Sequence, residues 1–393
     1  MNLTTPPLSL YIHMPWCVKK CPYCDFNSHA IGDETPSYAH YSELLLADLD
    51  ADLRDLGAII TGQKENPRQL VSIFFGGGTP SLFAPSLIAR LIDALRQRLP
   101  LANDAEITLE TNPGTVEHGR FDGYLRAGIN RLSFGIQSFD DDKLQHLGRI
   151  HSAREAEYAV KSAQDAGYLN INLDLMYGLP EQDLAAACKD VEHAMDLSPT
   201  HISHYQLSLE PHTAFAANPP PLPDDDLILA MNASCQTRLL SAGYQHYEIS
   251  AYAKAGRRSV HNLNYWRFGD YLGIGAGAHG KLTDGANGRI LRRWKIRHPR
   301  AWQLAARGPG RIGGKQLVPR TELPFEYMLN ALRLVDGVPL SDFSARTGLS
   351  LEHIATPLAQ ARCHGWLASD PQQLRATALG QRFLNDLISC FLP

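Results

Sequence analysis

Three cysteines near the start of the chain have the spacing of a metal-cluster site. Cys17, Cys21 and Cys24 follow the pattern C-x3-C-x2-C, so a single loop can turn all three thiols into one hollow. Thiolates are soft ligands that suit iron–sulfur clusters, zinc or copper(I). A four-iron cluster usually has four thiolate ligands. Three clustered cysteines would therefore leave one iron open to a small chelating molecule.

Two other uses of these cysteines stay open on the residues alone. A structural zinc site would need a fourth ligand, commonly from a second pair of cysteines or histidines. Cys21 and Cys24 also form a C-x-x-C pair, which is typical of redox-active thiols. The other four cysteines are isolated in the sequence: Cys188, Cys235, Cys363 and Cys390.

The elements that would position these cysteines alternate between strand and helix. We predict strands over Leu8–His13, Val71–Phe75, Glu106–Glu110, Arg131–Ile136, Asn170–Met176 and Ile202–Leu207. We predict helices over Tyr38–Leu56, Pro85–Leu99, Glu117–Ala127, Ala153–Ala166, Leu184–Leu197 and Asp225–Ala242. Alternating strands and helices form βα units around a parallel sheet. Six units predict an α/β fold, a partial (β/α)6 barrel within residues 1–243.

Residues that could bind a ligand fall on the carboxyl-end side of the predicted strands, although Asp174 lies inside its strand and Arg149 follows its strand by one loop. They are Gly77, Gly78 and Thr79 of a Gly-Gly-Gly-Thr-Pro run, and Glu110, Gln137, Arg149 and Asp174. Taken singly, a glycine run is often only a tight turn, and a strand-end carboxylate is often a helix cap or an ion-pair partner. Barrels of this class build their sites at the carboxyl ends of their strands, so the shared position predicts one ligand site beside the cysteines.

The segment 244–321 is rich in glycine and aromatic residues, and its second half is basic. It contains the run His-Asn-Leu-Asn-Tyr-Trp, residues 261–266, and then eleven Lys or Arg against one acid between positions 281 and 320. The basic stretch is either a solvated linker face or a docking surface for carboxylates, phosphates or anionic lipid. The cations are Lys281, Arg289, Arg292, Arg293, Lys295, Arg297, Arg300, Arg307, Arg311, Lys315 and Arg320.

Residues 322–393 predict a winged-helix-like module. Helices are expected over Phe325–Leu334, Ser341–Thr347, Leu351–His364 and Gly380–Leu392, with a β pair between Trp366–Ala368 and Leu374–Ala376. From residue 323 onward the module carries five cations and six acids, whereas a DNA-binding module normally carries a basic stripe. We therefore expect no nucleic-acid partner.

The overall composition is that of a soluble globular protein. The chain has 393 residues, 44% of them apolar and 20% charged, with a net charge of −4. It shows no signal-peptide pattern, and no apolar run reaches the ~18 residues that span a membrane. Seven scattered cysteines do not form a secreted disulfide framework. We expect a cytoplasmic protein.

Several motifs together make a specific family signature. Besides the cysteine spacing and Gly-Gly-Gly-Thr-Pro, the chain has Glu-Thr-Asn-Pro-Gly at 110–114, Phe-Gly-Ile-Gln-Ser-Phe at 134–139 and Asn-Leu-Asp-Leu-Met-Tyr-Gly-Leu-Pro at 172–180. Along essentially its whole length it resembles the anaerobic coproporphyrinogen III oxidase-like branch of the radical S-adenosylmethionine (SAM) enzymes. Within that branch it is most similar to the heme chaperones.

This resemblance implies a set of cofactors and ligands. Cys17, Cys21 and Cys24 would hold a [4Fe–4S] cluster whose fourth iron is capped by SAM, with Tyr23 beside the SAM adenine. The residues that match SAM-binding positions of the oxidase are Tyr11, Gly77, Gly78, Thr79, Glu110, Gln137, Arg149 and Asp174.

Departures from the oxidase pattern separate the two branches. The oxidase has a fourth cysteine two residues after the third, where this chain has Phe26, and it carries several dozen residues before its first cysteine. The run 261–266 matches the motif linked to heme in the chaperones. The resemblance therefore implies His261 as an axial ligand of heme iron, with Tyr265 and Trp266 as flat apolar surface. His279, in the same glycine-rich stretch, is the second candidate.

Three functions follow from these observations, in order of preference. The first is a heme chaperone that carries heme to acceptor hemoproteins, with respiratory enzymes as the expected acceptors. The second is an oxygen-independent coproporphyrinogen III oxidase, in which the cluster would reduce SAM to start radical chemistry. The third is a winged-helix regulator with a cluster as its sensor. Homodimerisation and peripheral contact with the inner face of the membrane stay open.

Overall fold

The computed structural model describes residues 3–32, 36–63, 66–114 and 120–393. Twelve strands within these ranges form one sheet. In chain order, β1 to β12 are Leu8–Met14, Leu70–Gly77, Leu101–Thr111, Arg131–Gln137, Ile171–Tyr177, His201–Gln206, Gln245–Glu248, Ala251–Ala253, Asp270–Ile274, His279–Asp284, Arg289–Lys295 and Ile312–Leu317. Their spatial order is β7-β8-β6-β5-β4-β3-β2-β1-β9-β10-β11-β12.

The first six strands are the parallel barrel that the sequence predicts. Each pairs in parallel with the next, from β1 to β6. Ser72 of β2 lies opposite Glu106 of β3, and Glu110 lies opposite Ser133 of β4. Because side chains alternate along a strand, every second residue points into the lumen. This confirms the α/β fold with a partial (β/α)6 barrel.

The helices between the barrel strands lie close to their predicted positions. In chain order, α1 to α15 are Tyr38–Thr61, Pro85–Arg96, Phe121–Ala127, Asp141–His146, Ala153–Asp165, Leu184–Asp196, Ala214–Ala217, Asp225–Ser241, Val260–Trp266, Pro299–Ala305, Leu323–Ala331, Ser341–Thr347, Ala355–Cys363, Ala378–Arg382 and Leu384–Ser389. Helix α1 runs five residues beyond its predicted end, through a kink at Leu56. The predicted residues 117–119 of the third helix lie outside the described residues. Helix α4 was not predicted.

The segment after residue 243 extends the sheet at both ends. Strands β7 and β8 add to the β6 edge, whereas β9 pairs in parallel with β1 and β10–β12 continue antiparallel. Glycine permits this close pairing, because a Cβ at Gly273 would lie 2.0 Å from the His279 carbonyl oxygen. The limits 1–243, 244–321 and 322–393 themselves remain predictions.

Many cations of the basic segment form ion pairs inside the protein. Lys295 and Arg311 are each 2% exposed and bind Asp48 and Asp52 of α1. Arg293 also binds Asp52. Further pairs join Lys281 to Asp270, Arg289 to Asp284 and Arg292 to Glu326. These six cations therefore form no free docking surface. The exposed remainder is Arg297, Arg300, Arg307, Lys315 and Arg320.

The C-terminal helices α11–α15 have their own apolar core, which also takes in Leu3, Phe268 and Ile290 from the rest of the chain. The predicted wing is reduced to a single bridge between Leu367 and Ala376, and the regular pair is Val338–Pro339 with Gln373–Leu374. The predicted last helix is broken into two at Phe383, whose φ and ψ of −111° and 40° are not helical.

Candidate cluster and cofactor site

The three cysteines lie on a loop that is closed by its own short strands. We call residues 16–30 the cysteine loop, because Trp16–Cys17 pairs with His29–Ala30 across it. Within the loop, the Cys24 amide donates to the Cys21 carbonyl at 3.2 Å. The Lys20 ammonium donates to the carbonyls of Phe26 and Ser28 at 3.1 and 3.0 Å. These contacts hold a segment that contains little regular structure.

The three thiols are partly exposed and lie close enough to influence one another. Burial raises the pKa of Cys17, hydrogen bonds from Thr79 and Ser28 lower it, and the thiols of Cys24 and Cys21 raise it. Among the described residues, no three His, Cys, Asp or Glu side chains are placed to hold one metal ion. The thiols of Cys17, Cys21 and Cys24 fit a cluster, in which each thiolate binds a different iron.

The Gly-Gly-Gly-Thr-Pro run packs directly against the start of the cysteine loop. Gly77 has a φ of 114°, and a Cβ there would lie 2.4 Å from the His13 ring; a Cβ on Gly78 would lie 2.5 Å from the Trp16 carbonyl oxygen. The Thr79 amide donates to that carbonyl at 2.7 Å. The glycines are therefore required by close backbone approach, and the run is more than a tight turn.

Two carboxylates point into the lumen below this run. Glu110 Oε2 accepts a hydrogen bond from the Gly77 amide at 3.0 Å. Burial raises the pKa of Glu110 to about 7, although the Gly77 hydrogen bond opposes the shift. Asp174 accepts from Asn172 Nδ2 at 2.8 Å and from Ser133 Oγ at 3.2 Å, and burial raises its pKa as well. Both side chains are desolvated acceptors that a cationic or hydroxyl-bearing ligand would satisfy.

A chain of polar contacts links the glycine run to the cysteines. Arg149 Nη1 lies 3.7 Å from Cys21 Sγ, and its Nη2 donates to Asn112 Oδ1 at 2.6 Å. Asn112 Nδ2 in turn donates to Thr79 Oγ1 at 2.7 Å. The Arg149 Nε is buried and has no hydrogen-bond partner among the described residues. Asn112 was missed by the sequence analysis, although its position two residues after Glu110 could have indicated it.

Gln137 adopts a backbone conformation that is uncommon for a side-chain-bearing residue. Its φ is 75°, at an irregularity in the pairing of β4 with β5. The Tyr205 hydroxyl donates to Gln137 Oε1 at 2.7 Å. Such strain at a strand end is a common feature of functional sites, in agreement with the predicted role. Tyr23 lies near Phe215, with ring centroids 6.3 Å apart.

A cavity of about 190 Å³ opens between the cysteine loop and the glycine run, and we call it the cluster cavity. Cys21, Thr79 and Arg149 line it together with Asn112. The structure thus brings together predicted residues that are up to 128 positions apart in the chain. Val18 and Ile150 give its mouth an apolar edge, at 49% and 55% exposure.

His261 does not lie in this cavity. It belongs to α9, whose first turn donates to buried Glu106: the Val260 amide at 3.1 Å and the His261 amide at 3.0 Å. The His261 ring stacks on Phe74 with centroids 4.9 Å apart, and Nδ1 lies 2.8 Å from Ser72 Oγ. His261 is 2% exposed, and burial lowers its pKa to about 3.

The two aromatic residues Tyr265 and Trp266 have different packing partners. Trp266 packs against the C-terminal core, with the Arg333 guanidinium 4.2 Å above its ring. Tyr265 turns the other way and lies 4.4 Å from Tyr271, centroid to centroid. The two rings are still neighbours, with centroids 6.5 Å apart and an interplanar angle of 49°, and the expectation that they offer flat apolar surface to heme stays a prediction.

Comparison with known proteins gives the family. The model of the radical SAM superfamily matches residues 11–192, and that of the HemN C-terminal domain matches residues 318–383. The chain is 50% identical to the heme chaperone HemW of Escherichia coli over 388 residues, 98% of both chains. It is also 50% identical to heme chaperone HemW of Haemophilus influenzae, over 98% of both chains. The chain belongs to the HemW family.

Among solved structures, this HemW-family chain is similar to the coproporphyrinogen III oxidase HemN from Escherichia coli. The TM-score is 0.79 at 21% identity, covering 98% of this chain and 90% of the oxidase chain. At that identity the likeness shows the fold alone. Membership of the radical SAM superfamily implies a [4Fe–4S] cluster and SAM. Three partly exposed free thiols on one loop, the close backbone approach at Gly77 and Gly78 and the unpartnered Arg149 Nε fit these two groups.

None of the helices in the described ranges combines the length and the apolar character that crossing a bilayer requires.

Proposed function

We propose that this protein is a heme chaperone that binds heme and transfers it to acceptor hemoproteins. The observation that carries the proposal is the end-to-end identity of 50% with a heme chaperone. Identity of this extent over 98% of both chains supports a shared activity as well as a shared fold.

The cysteine loop, the cluster cavity and the barrel lumen would together hold the resident cofactors. Of the three cysteines and the carboxylates Glu110 and Asp174, only Cys21 lines the cavity itself. Cys17, Cys21 and Cys24 would bind three irons of a [4Fe–4S] cluster, and SAM would cap the fourth. When bound, a reduced cluster would supply one electron to SAM, which would split into methionine and a reactive deoxyadenosyl radical. The residues of this chain would do the binding: the Gly77 region gives close backbone approach, whereas Glu110 and Asp174 accept hydrogen bonds from the ligand.

The remaining matched positions would orient SAM. Arg149 fixes Cys21 and Asn112 and keeps one N–H for the ligand, and the strained Gln137 is held by Tyr205. Tyr11 donates or accepts at His13 Nδ1, 3.0 Å away, so its ring is fixed beside the lumen. Tyr23, with a pKa raised by burial, would lie against the adenine.

The alternative activity, oxygen-independent oxidation of coproporphyrinogen III, is supported at the level of fold only. Phe26 stands where the oxidase pattern has its fourth cysteine, and this ring is 66% exposed. We expect no conversion of coproporphyrinogen under anaerobic conditions in which a known oxidase is active.

One experiment separates the two functions. Anaerobically reconstituted protein with about four irons per chain is titrated with heme, and the loaded protein is then mixed with a heme-depleted respiratory enzyme. Recovery of that enzyme's activity is the expected result, and a parallel assay follows coproporphyrinogen turnover. Failure to bind heme, or protoporphyrinogen formation without heme transfer, would reject the chaperone.

We further propose a cytoplasmic location with transient contact at the inner face of the membrane, where respiratory acceptors reside. The five exposed cations of residues 297–320 support such contact by attraction to anionic lipid. Binding to vesicles with and without phosphatidylserine tests it, and equal binding to both would exclude the electrostatic contact. Homodimer formation is a separate proposal, which sedimentation at several protein concentrations tests.

A further inference from the structure

A second cavity lies on the other side of the cysteine loop, between that loop and the start of β10. We call it the side cleft. It has a volume of about 350 Å³, and its lining includes Phe26, Tyr265, Tyr271, His279 and Arg297. Ligand sites are commonly 300–1,000 Å³, so an open cleft of this size can take one face of a large flat molecule.

The walls of the side cleft are fastened to each other. Asn27, at the end of the cysteine loop, donates from Nδ2 to the carbonyls of Ala276 and Arg297 at 3.0 and 2.8 Å. A Cβ at Gly277 would lie 2.3 Å from this nitrogen, and Gly277 has a φ of 77°. The loop that binds the cluster and the turn before His279 therefore form one fixed frame.

Aromatic rings supply the apolar surface of the cleft. Tyr265 and Tyr271 meet edge to face at an interplanar angle of 62°. Phe26 stands at the mouth with two thirds of its surface exposed, which is unusual for a phenylalanine without a partner. A flat apolar ligand would cover Phe26 and remove this exposed surface from water.

Two histidines line the cleft, His13 and His279, and of these two only His279 has a ring nitrogen free to bind a metal in the described structure. His261 does not line the cleft, and its Nε2 is buried without a hydrogen-bond partner among the described residues. Both ring nitrogens of His13 are engaged, with the Tyr11 hydroxyl at 3.0 Å and the Asn27 carbonyl at 2.9 Å. His279 is exposed, and neither of its nitrogens has a hydrogen-bond partner among the described residues.

The charge around His279 suits an anionic, metal-bearing ligand. Partial burial lowers its pKa, and the cations Arg292 and Arg297 lower it further, so the imidazole is neutral and can donate its lone pair. Arg292 is already bound to Glu326. Arg297 is exposed and has no ion-pair partner among the described residues, so its guanidinium is free for a carboxylate.

We infer that the side cleft is the heme seat, with His279 as the axial ligand of the iron, Arg297 on a propionate, and Phe26 and Tyr265 against the macrocycle. This inference rests on the proposed heme-chaperone function and names the residues that carry it out. One protein ligand on one open face leaves the other face and one edge of the porphyrin accessible to an acceptor.

Heme titrations followed by absorption and electron paramagnetic resonance test the axial ligand. We expect His279→Ala to shift the Soret band and to weaken binding at least about tenfold, and added imidazole to restore the original spectrum. His279→Cys should give a thiolate-type spectrum, which a merely structural role would not produce. The matched control is His364→Ala, since His364 is also exposed and stacks on a tryptophan, as His279 does.

A second pair of variants tests the propionate contact. Arg297→Ala should weaken heme binding several-fold but leave binding of heme dimethyl ester unchanged, because the ester has no carboxylate to pair. Arg300→Ala, which removes an exposed arginine three residues away, should change neither. Equal losses for heme and its ester in Arg297→Ala would remove the propionate role.

The outcomes separate this inference from the proposed function. If the wild-type chain does not bind heme, the chaperone function fails and the seat fails with it. If the wild type binds heme and His279→Ala has the same spectrum and affinity, only the assignment of the seat is overturned. A spectral change in His279→Ala that imidazole reverses supports both.

Discussion

Glu110 gives the most quantitative test of the cofactor site, because its ionised carboxylate lowers the free energy of unfolding when the site is empty. Burial raises its pKa from 4.5 to about 7, and a difference of this size corresponds to about 3 kcal/mol. Glu110 is partly exposed to the lumen, and water there screens part of the cost, so we expect about 2 kcal/mol. Glu110→Gln keeps an acceptor for the Gly77 amide and removes the charge.

The direction in which the stability changes with pH follows from the difference in the Glu110 pKa between the folded and unfolded states. Since the folded state holds its proton more tightly than the unfolded state, ionisation destabilises the empty protein as the pH rises from 4.5 towards 7. Urea unfolding of cluster-free protein should therefore show Glu110→Gln gaining about 2 kcal/mol over wild type at pH 8, with a much smaller gain at pH 5. Glu43→Gln, at an exposed position of α1, should show no such pH-dependent gain.

The same substitution should have the opposite effect on cofactor binding. A charged acceptor contributes about 1–3 kcal/mol to a buried hydrogen bond, so Glu110→Gln should bind SAM correspondingly more weakly in an anaerobic titration. A parallel pH dependence of stability in wild type and Glu110→Gln would refute the desolvated carboxylate. Unchanged SAM affinity would remove Glu110 from the site.

Two further outcomes follow from the same structure. Cys24→Ala should abolish the iron content and brown colour of anaerobically prepared protein, whereas Cys363→Ala, on an exposed part of the C-terminal module, should retain both. Asp48→Asn leaves the buried ammonium of Lys295 short of a partner and should cost about 3–5 kcal/mol in urea unfolding, whereas Asp50→Asn, in a part-exposed pair, should cost less than about 1 kcal/mol.

The barrel could be predicted because its signal is local and repeated. Most strands are short runs rich in apolar residues and several helices end close to a glycine, so an error at one element does not displace the next. The alternation of strand and helix then places Glu110 near the carboxyl end of β3, whereas Asp174 lies in the middle of β5. The contacts that finish the site cannot be predicted in this way: the hydrogen bond from Arg149 to Asn112 joins residues 37 positions apart, and no periodicity indicates it.

The basic segment shows the main limit of counting charges. From the sequence alone, Lys295 and Arg311 are counted as part of a cationic surface, because their partners Asp48 and Asp52 are about 240–260 residues earlier in the chain. Paired and unpaired cations have the same appearance in a sequence. Buried ion pairs are stable only when each charge is compensated, so the structure, and not the composition, decides which cations can meet a ligand.

The run His261–Trp266 illustrates how a motif can serve a ligand without touching it through its most obvious residue. Asn264 Nδ2 donates to Ser9 Oγ at 2.9 Å and to the Asp270 carbonyl at 2.8 Å, and His261 contacts Ser72. These contacts fix α9 against the barrel strands. The next side chain, Tyr265, is thereby held in the side cleft. Loss of His261 would disturb the wall on which we place heme, so weaker heme binding in a His261 variant would not by itself identify His261 as the iron ligand. If added imidazole restores the spectrum of a His279 variant but not that of a His261 variant, His279 is identified as the ligand.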